Sequence, residues 1–294
     1  MYQSFYNFSG KPFRLNSDPR FFYSSKTHKR ALSYLRYGIE QGEGFIIITG
    51  DVGTGKTTLV SRLLRSLKSQ NVITAHVVNS QLQPSDLLRM VSAEFNLEYR
   101  NLNKAILLKN LELFFRDCHE HNRRVLLIVD EAQNLSAKSL EELRMLSNLQ
   151  FEGRQLLQSF LLGQKEFRNM IRSSGYEQLR QRVIATYHLH PLDKDETREY
   201  INYRLYVVGW KNDPVIDQDV FDRIYMFSKG IPRKINLLCD RILLFACLEE
   251  LHQITIQSLQ AVLIDVEDEY WSEEITDNDL LDNDLNLKLT NNSH

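Results

Sequence analysis

The sequence has few cysteines, no excess of positive charge and no long hydrophobic run. Its three cysteines, Cys118, Cys239 and Cys247, show no C-x-x-C spacing, which argues against a zinc site or a disulfide framework. The formal net charge is −2, so the chain lacks the overall basic character of many nucleic-acid-binding proteins. Only a local basic patch could serve that purpose.

No stretch of the sequence indicates export or a membrane span. The first residues, MYQSFYNFSG, lack a basic segment followed by an apolar one, so no signal peptide is predicted. The apolar runs at 45–48 and 125–129 suit strands, whereas a helix that crosses a bilayer needs about 20 residues. We therefore expect a cytoplasmic protein with reduced thiols. Peripheral association with a membrane is compatible with that expectation.

Apolar periodicity divides the chain into alternating strands and helices, followed by helices alone. Strands separated by helices imply right-handed crossovers and a parallel sheet with helices on both faces. We predict a three-layer α/β/α domain over 1–190, an all-helical lid over 191–270 and an acidic, disordered tail over 271–294. The predicted strands are 44–49, 72–78, 125–129, 156–162 and 183–189, and the predicted lid helices are 193–208, 217–227, 232–247 and 255–269.

A glycine-rich segment follows the first predicted strand and opens a helix. It reads Gly50-Asp51-Val52-Gly53-Thr54-Gly55-Lys56-Thr57 and is followed by Thr58. Its glycines let successive backbone N–H groups approach phosphate oxygens, and the following helix adds its positive end. Lys56 would place a cation on the β- and γ-phosphates, and the Thr57 hydroxyl would bind Mg²⁺. The pattern in this context predicts a phosphate-binding loop (P-loop) for ATP.

A pair of carboxylates, Asp130 and Glu131, ends the apolar run at 125–129. A buried strand would deliver Asp130 to the edge of the sheet that carries the P-loop, where it can bind Mg²⁺ together with Thr57. Glu131 would then polarise the attacking water. A solvated carboxylate at a strand end is the alternative, which the upstream P-loop disfavours. The pair predicts hydrolysis of ATP and not binding alone.

Four further residues are candidates for catalysis. Gln164, which follows the fourth strand, could bind the γ-phosphate or the attacking water, or could simply cap a helix. Arg180 or Arg182 could stabilise charge on the phosphoryl group of a neighbouring subunit as an arginine finger, or could form surface ion pairs. Arg233 follows a Gly-Ile-Pro turn into a lid helix and could lean over the γ-phosphate, or could be a solvated residue at a helix start.

A basic cluster at 26–30 has two interpretations. It could begin a helix that flanks the adenine pocket, which we favour, or it could form a patch for nucleic acid. His28 within it has no partner at a metal-ligand spacing, so no metal site is inferred there.

Together these motifs resemble the AAA+ class of P-loop ATPases and, within it, the GspA/ExeA-like secretion ATPases. The resemblance covers about residues 1–268 and rests on MYxSFYxFxGKPFRLxxDPRFFY, THKRALSYLRYGI, GDVGTGKTT, VLLIVDEAQNL, LLGQKEF, LRQRV and GIPRKIN. It implies a Walker A motif at 50–58, a Walker B motif at Asp130 and Glu131, sensor 1 at Gln164 and sensor 2 at Arg233. Lys165 stands where many members of the family have proline. Within the family, the chain most resembles the ATPase associated with exosortase (PEP-CTERM) and exopolysaccharide loci.

The resemblance implies a Mg²⁺-dependent ATPase that assembles or drives an envelope secretion or exopolysaccharide export system. Self-association with nucleotide and contact with proteins of that system are then expected, and nucleic acid is not. One alternative is a DNA-dependent AAA+ ATPase of the transposition-regulator type, which would carry a helix-turn-helix domain where this sequence has an acidic tail. Another is a nucleotide-binding scaffold that scarcely hydrolyses, against which Glu131 argues.

Overall fold

The computed structural model describes residues 1–16, 18–67, 70–78 and 83–271 of the 294-residue chain. These residues form two compact units. The α/β unit extends to Leu192, and the lid unit combines the first sixteen residues with the chain from Asp193. The predicted disordered tail lies outside the described residues, apart from Trp271. Within the described ranges, no helix combines the length and the apolar character that crossing a membrane requires.

The five strands of the main sheet and the four helices after residue 190 begin and end within about two residues of the predicted positions. The helices are α1 (Tyr2–Phe5), α2 (Lys26–Gln41), α3 (Lys56–Leu67), α4 (Pro84–Glu94), α5 (Lys104–Glu120), α6 (Ala137–Ser147), α7 (Lys165–Arg172), α8 (Glu177–Arg180), α9 (Lys194–Val207), α10 (Gln218–Ser228), α11 (Pro232–Leu248) and α12 (Ile256–Trp271). The strands are β1 (Phe45–Gly50), β2 (Val72–Val77), β3 (Arg124–Val129), β4 (Gln150–Phe151), β5 (Arg154–Gln155), β6 (Gln158–Gly163), β7 (Val183–Leu189), β8 (Val215–Ile216) and β9 (Gln253–Ile254). Short 3-10 helices cover Pro19–Phe21 and Ala132–Asn134.

The five strands that the sequence predicts form one parallel sheet in the order β2-β3-β6-β1-β7. Because all the strands run the same way, their carboxyl ends share one edge of the sheet. The order places β6 between β1, which precedes the P-loop, and β3, which precedes Asp130. The residues directly after β6 therefore lie between those two motifs.

The middle of the sheet is covered on both faces, as the apolar runs predict. All six residues of β1 are buried, and alternate side chains enter two separate cores. Ile46 and Ile48 pack with apolar residues of α2 and α3, whereas Phe45 and Ile47 pack with apolar residues of α4 to α7. The three-layer α/β/α arrangement is thus confirmed.

Among the described residues of the lid unit, four helices follow Asp193. A capping box starts α9: the Asp193 carboxylate accepts from the Glu196 N–H at 2.8 Å, and the Glu196 carboxylate accepts from the Asp193 N–H at 3.3 Å. Such caps satisfy N–H groups that have no partner within the helix. A two-residue parallel pairing between β8 and β9 joins the helices, a feature that the predicted all-helical lid did not include.

The first sixteen residues belong to the lid unit, whereas the sequence analysis placed them in a domain over 1–190. Hydrogen bonds to Arg204 of α9, which is 5% exposed, account for part of this association. Its Nε donates to the Pro12 carbonyl at 2.6 Å, and its Nη2 donates to the Arg14 carbonyl at 3.1 Å. A buried guanidinium needs such acceptors, and the N-terminal segment supplies them.

Candidate functional site

The P-loop joins β1 to α3 in a backbone conformation that depends on glycine. Gly55 has φ +96°, and a Cβ there would lie 3.0 Å from the His28 Nε2. At Gly50, a Cβ would lie 2.9 Å from the Leu189 carbonyl oxygen. The Thr54 hydroxyl, inside the loop, donates to the Asp51 carbonyl at 2.8 Å. The loop thus has the tight turn that lets backbone N–H groups face a phosphate.

Lys56, the first residue of α3, is turned back into the loop. Its Nζ donates to the carbonyls of Gly50 at 2.8 Å and Asp51 at 3.1 Å. Burial lowers the pKa of Lys56, and the carboxylates of Glu131 and Asp130 oppose that shift. The side chain therefore sits among oxygen acceptors that phosphate oxygens could replace, and its phosphate-binding role stays a prediction.

The predicted Mg²⁺ ligands, Thr57 and Asp130, meet at the carboxyl edge of the sheet. The Thr57 hydroxyl donates to the Asp130 Oδ2 at 2.9 Å, although β3 and β1 are separated by β6. Asp130 is 2% exposed, and its Oδ1 accepts from the Glu131 N–H at 2.9 Å. A hydroxyl beside a carboxylate is the kind of hard oxygen donor set that Mg²⁺ prefers. These two residues would hold the ion, which would neutralise charge on the phosphates.

Glu131 and Gln164 also lie together. The Gln164 Nε2 donates to the Glu131 Oε2 at 3.2 Å. Gln164 occupies the N-cap position of α7, but its side chain makes no capping hydrogen bond. The Gln164 side chain therefore does not cap α7, and the capping alternative is wrong. Lys165 is the first residue of α7, a position that accepts proline as readily, so its departure from the family pattern leaves the turn intact.

Gln133 also belongs to this cluster, although the motifs do not predict it. Its Nε2 donates to the same oxygen of Glu131, and its Oε1 accepts from the Gln164 backbone N–H at 3.0 Å. Gln133 lies two residues after Glu131 in the VDEAQ segment, which is the one signal that could have drawn attention to it. Periodicity could not tell where its amide would point.

His28 is a second residue whose place the sequence analysis missed. It faces inward from the start of α2, with its Nδ1 2.7 Å from the Ser25 Oγ and the Phe22 ring edge-on at 5.5 Å. Burial lowers its pKa from 6.5 to about 4, and a hydrogen bond with the backbone of Thr54 partly opposes the shift. This member of the 26–30 cluster supports the P-loop and does not form part of an exposed patch.

Arg182 lies at the opposite edge of the sheet from the P-loop, and Arg180 lies beside the end of α7. The Arg182 carbonyl accepts from the N–H of Phe45, the first residue of β1, at 2.8 Å. A six-residue strand spans about 20 Å, more than an arginine side chain can bridge. The Arg180 guanidinium already donates to two carbonyls at the end of α7 and to the Glu177 carboxylate at 2.9 Å. Arg182 thus cannot reach the P-loop of its own subunit, and the Arg180 guanidinium is held at the end of α7.

Arg233 belongs to the lid unit. It is the second residue of α11, after Pro232, and its side chain is exposed. Pro232 sets the first turn of the helix, as the sequence predicts from its position. The sensor role of Arg233 stays a prediction.

Residues 39–171 match a family described as AAA domain. The sheet order, with the P-loop after β1 and the acidic pair after β3, agrees with that match. The chain has a P-loop AAA+ fold. The ORC2 protein of Aeropyrum pernix aligns with this AAA+ chain at a TM-score of 0.63 and 17% identity, over 86% of this chain and 70% of that chain. The Thermotoga maritima RuvB Holliday junction branch migration motor aligns at 0.57 and 18%, over 86% and 72%.

A relative with higher identity is the general secretion pathway protein A of Aeromonas hydrophila. It is 40% identical over 258 residues, which are 86% of this chain and 46% of that protein. This chain is thus similar to general secretion pathway protein A over most of its own length. The AAA+ chain spans less than half the length of that relative.

Proposed function

We propose that this AAA+ chain hydrolyses ATP to ADP and phosphate and uses the reaction to assemble or operate an envelope secretion system. One observation carries the proposal: Lys56, the Thr57–Asp130 pair and the hydrogen-bonded Glu131 and Gln164 converge at the carboxyl edge of the sheet. A phosphate-binding loop alone would support nucleotide binding. The carboxylate beside it supports hydrolysis.

The chemistry follows from these contacts. Lys56 and the loop N–H groups would bind the phosphates, while Thr57 and Asp130 would hold the Mg²⁺. Glu131 would accept a proton from water as the water oxygen bonds to the γ-phosphorus and the bond to the β,γ-bridging oxygen breaks. An amide nitrogen has two N–H groups, so Gln164 could contact Glu131 and a γ-phosphate oxygen at once.

A neighbouring subunit would complete the site. We propose Arg182 as the arginine finger in preference to Arg180, because the Arg180 guanidinium is already bonded to the end of α7 and to Glu177. A finger at the edge opposite the P-loop can act only on another subunit, so nucleotide-dependent self-association is part of the proposal. Arg233 would act as the second sensor from the lid.

The similarity to general secretion pathway protein A supports secretion as the process. The finer proposal, from the sequence motifs, is an exosortase-associated or exopolysaccharide export system. We place the activity in the cytoplasm, where ATP is supplied, with peripheral contact to the membrane through partner proteins. Components of that apparatus are the proposed partners.

The test is a set of ATPase assays with Mg²⁺. The Lys56→Ala variant should lose nucleotide binding, whereas Glu131→Gln should still bind ATP and hydrolyse it at least about 10²-fold more slowly. Glu94→Gln, an exposed change at the end of α4, is the matched control. An unchanged hydrolysis rate for Glu131→Gln would show that Glu131 is not the base.

Two further measurements separate the processes. Capture with Glu131→Gln and ATP should recover secretion or export proteins from cells. Stimulation of wild-type hydrolysis by duplex DNA, weakening with salt, would instead favour the DNA-dependent alternative.

A further inference from the structure

Gln133 joins the ends of two strands through its side-chain amide. It lies in the 3-10 helix Ala132–Asn134, just after Glu131. Its Nε2 donates to the Glu131 Oε2, and its Oε1 accepts from the Gln164 N–H at 3.0 Å. Because the Gln164 Nε2 also donates to the Glu131 Oε2, at 3.2 Å, the three residues form a closed ring of hydrogen bonds.

The backbone is shaped to make this ring. Glu131 has φ +51°, a left-handed conformation that is uncommon for a residue with a side chain. The Asn134 N–H donates to the Glu131 carbonyl at 2.9 Å and closes the turn that returns Gln133 toward Glu131. Strands β3 and β6 are neighbours in the sheet, so Gln164 is within reach.

The ring restricts the proposed base. A glutamate side chain rotates about several bonds, and a base must present one oxygen to the water within tight limits of distance and angle. Two N–H donors on Oε2 fix the rotation of the Glu131 carboxylate. One of those donors belongs to Gln164, which is the proposed contact to the γ-phosphate.

We infer that Gln133 is a positioning residue for hydrolysis, which fixes the Glu131 carboxylate in register with Gln164. The inference rests on the proposed function and deepens it. Gln133 touches neither nucleotide nor water in this scheme. Its effect passes through the two residues that it holds.

The first test compares kcat and ATP affinity. Gln133→Ala should lower kcat by on the order of 10²-fold, because a misplaced base loses the reacting geometry. Its dissociation constant for a fluorescent ATP analogue should stay within about twofold, since the P-loop contacts do not involve Gln133. Asn134→Ala, an exposed change in the same turn, should keep the wild-type kcat. An increase in kcat for Gln133→Ala would mean that the ring restrains Glu131 and would overturn the inference.

A second variant distinguishes positioning from general support and applies even if Gln133→Ala does not fold. Gln133→Glu keeps the size and the acceptor for the Gln164 N–H but loses the donor to Glu131 while the new carboxyl is ionised. A neighbouring carboxylate raises the pKa of the new group, and its protonated form can donate again. The ratio of variant to wild-type kcat should therefore rise as the pH falls from 8 to 6. A ratio near one at every pH would contradict a positioning role, because the lost donor would then have no effect on kcat.

The two proposals fail in different ways. If the wild-type protein does not hydrolyse ATP, the proposed function fails. If the wild type hydrolyses ATP, Glu131→Gln does not, and Gln133→Ala retains the wild-type kcat, only the inference about Gln133 fails.

Discussion

Acidification should destabilise the α/β unit through His28. This ring is 6% exposed, lies beneath the P-loop beside Gly55 and contacts Ser25 and Phe22. Protonation would place a charge in surroundings that offer little solvation. Burial accordingly lowers its pKa from 6.5 to about 4.

The size and sign follow from linkage between protonation and unfolding. The unfolded chain binds a proton at His28 near pH 6.5, whereas the folded chain does so only near pH 4. The stabilising contribution is therefore complete above pH 6.5 and is lost as the pH falls toward 4. A difference of about 2.5 pKa units corresponds to roughly 3 kcal/mol. A typical domain has a free energy of unfolding of roughly 5–15 kcal/mol, so this contribution is a large part of the total.

The measurement is urea unfolding of the wild type and His28→Gln, followed by far-UV circular dichroism from pH 8 to pH 4.5. The difference in free energy of unfolding between the two proteins removes the contribution of every other titrating group. It should shift by about 2.5 kcal/mol in favour of the variant between pH 8 and pH 4.5. His121→Gln, at an exposed site after α5, controls for loss of a histidine. Parallel pH curves for the wild type and His28→Gln would refute the argument from burial.

Three other changes test separate features. Arg204→Met should lower the stability of the lid unit by about 2–4 kcal/mol, because buried carbonyls lose a charged donor, and tryptophan fluorescence during urea unfolding would measure it. Gly163→Ala should cost about 1–3 kcal/mol and lower kcat, since a Cβ there would lie 2.7 Å from the Phe167 Cβ just before Gln164; thermal unfolding and ATPase assays would measure both. Arg182→Ala and Lys56→Ala should each be inactive alone but should recover hydrolysis when mixed, because one subunit supplies the finger and the other the P-loop. Absence of recovery in mixed, assembled protein would count against Arg182 as the finger.

Local signals account for the parts of the structure that the sequence predicted. The run FIIIT is buried on both faces of the sheet, so its composition alone identifies β1. The P-loop is equally local, because its glycines, Lys56 and Thr57 are contiguous with the strand and the helix that position them. The position of Asp130 is local information too. It directly follows the buried strand β3, so the sequence places it at the carboxyl edge of the sheet.

Contacts between residues far apart in the sequence cannot be predicted from such local signals. The Tyr2 hydroxyl donates to the Asp240 carboxylate, and no pattern within either segment indicates the other. The same holds for Arg204, whose carbonyl partners come from the opposite end of the chain. This is why the N-terminal segment was expected with the α/β domain and lies instead in the lid unit.

The sheet order explains how one short helix connects the two edges of the α/β unit. Because β6 separates β1 from β3, its last residues lie between the P-loop and the acidic pair, and Gln164 meets Glu131 there. Helix α7 starts directly after Gln164, and its last carbonyls accept from Arg180. The helix therefore begins at the proposed catalytic cluster and ends at the segment that carries the proposed finger. Gly163 is essential to this arrangement, since only a residue without a side chain lets Phe167 of α7 pack so close to β6.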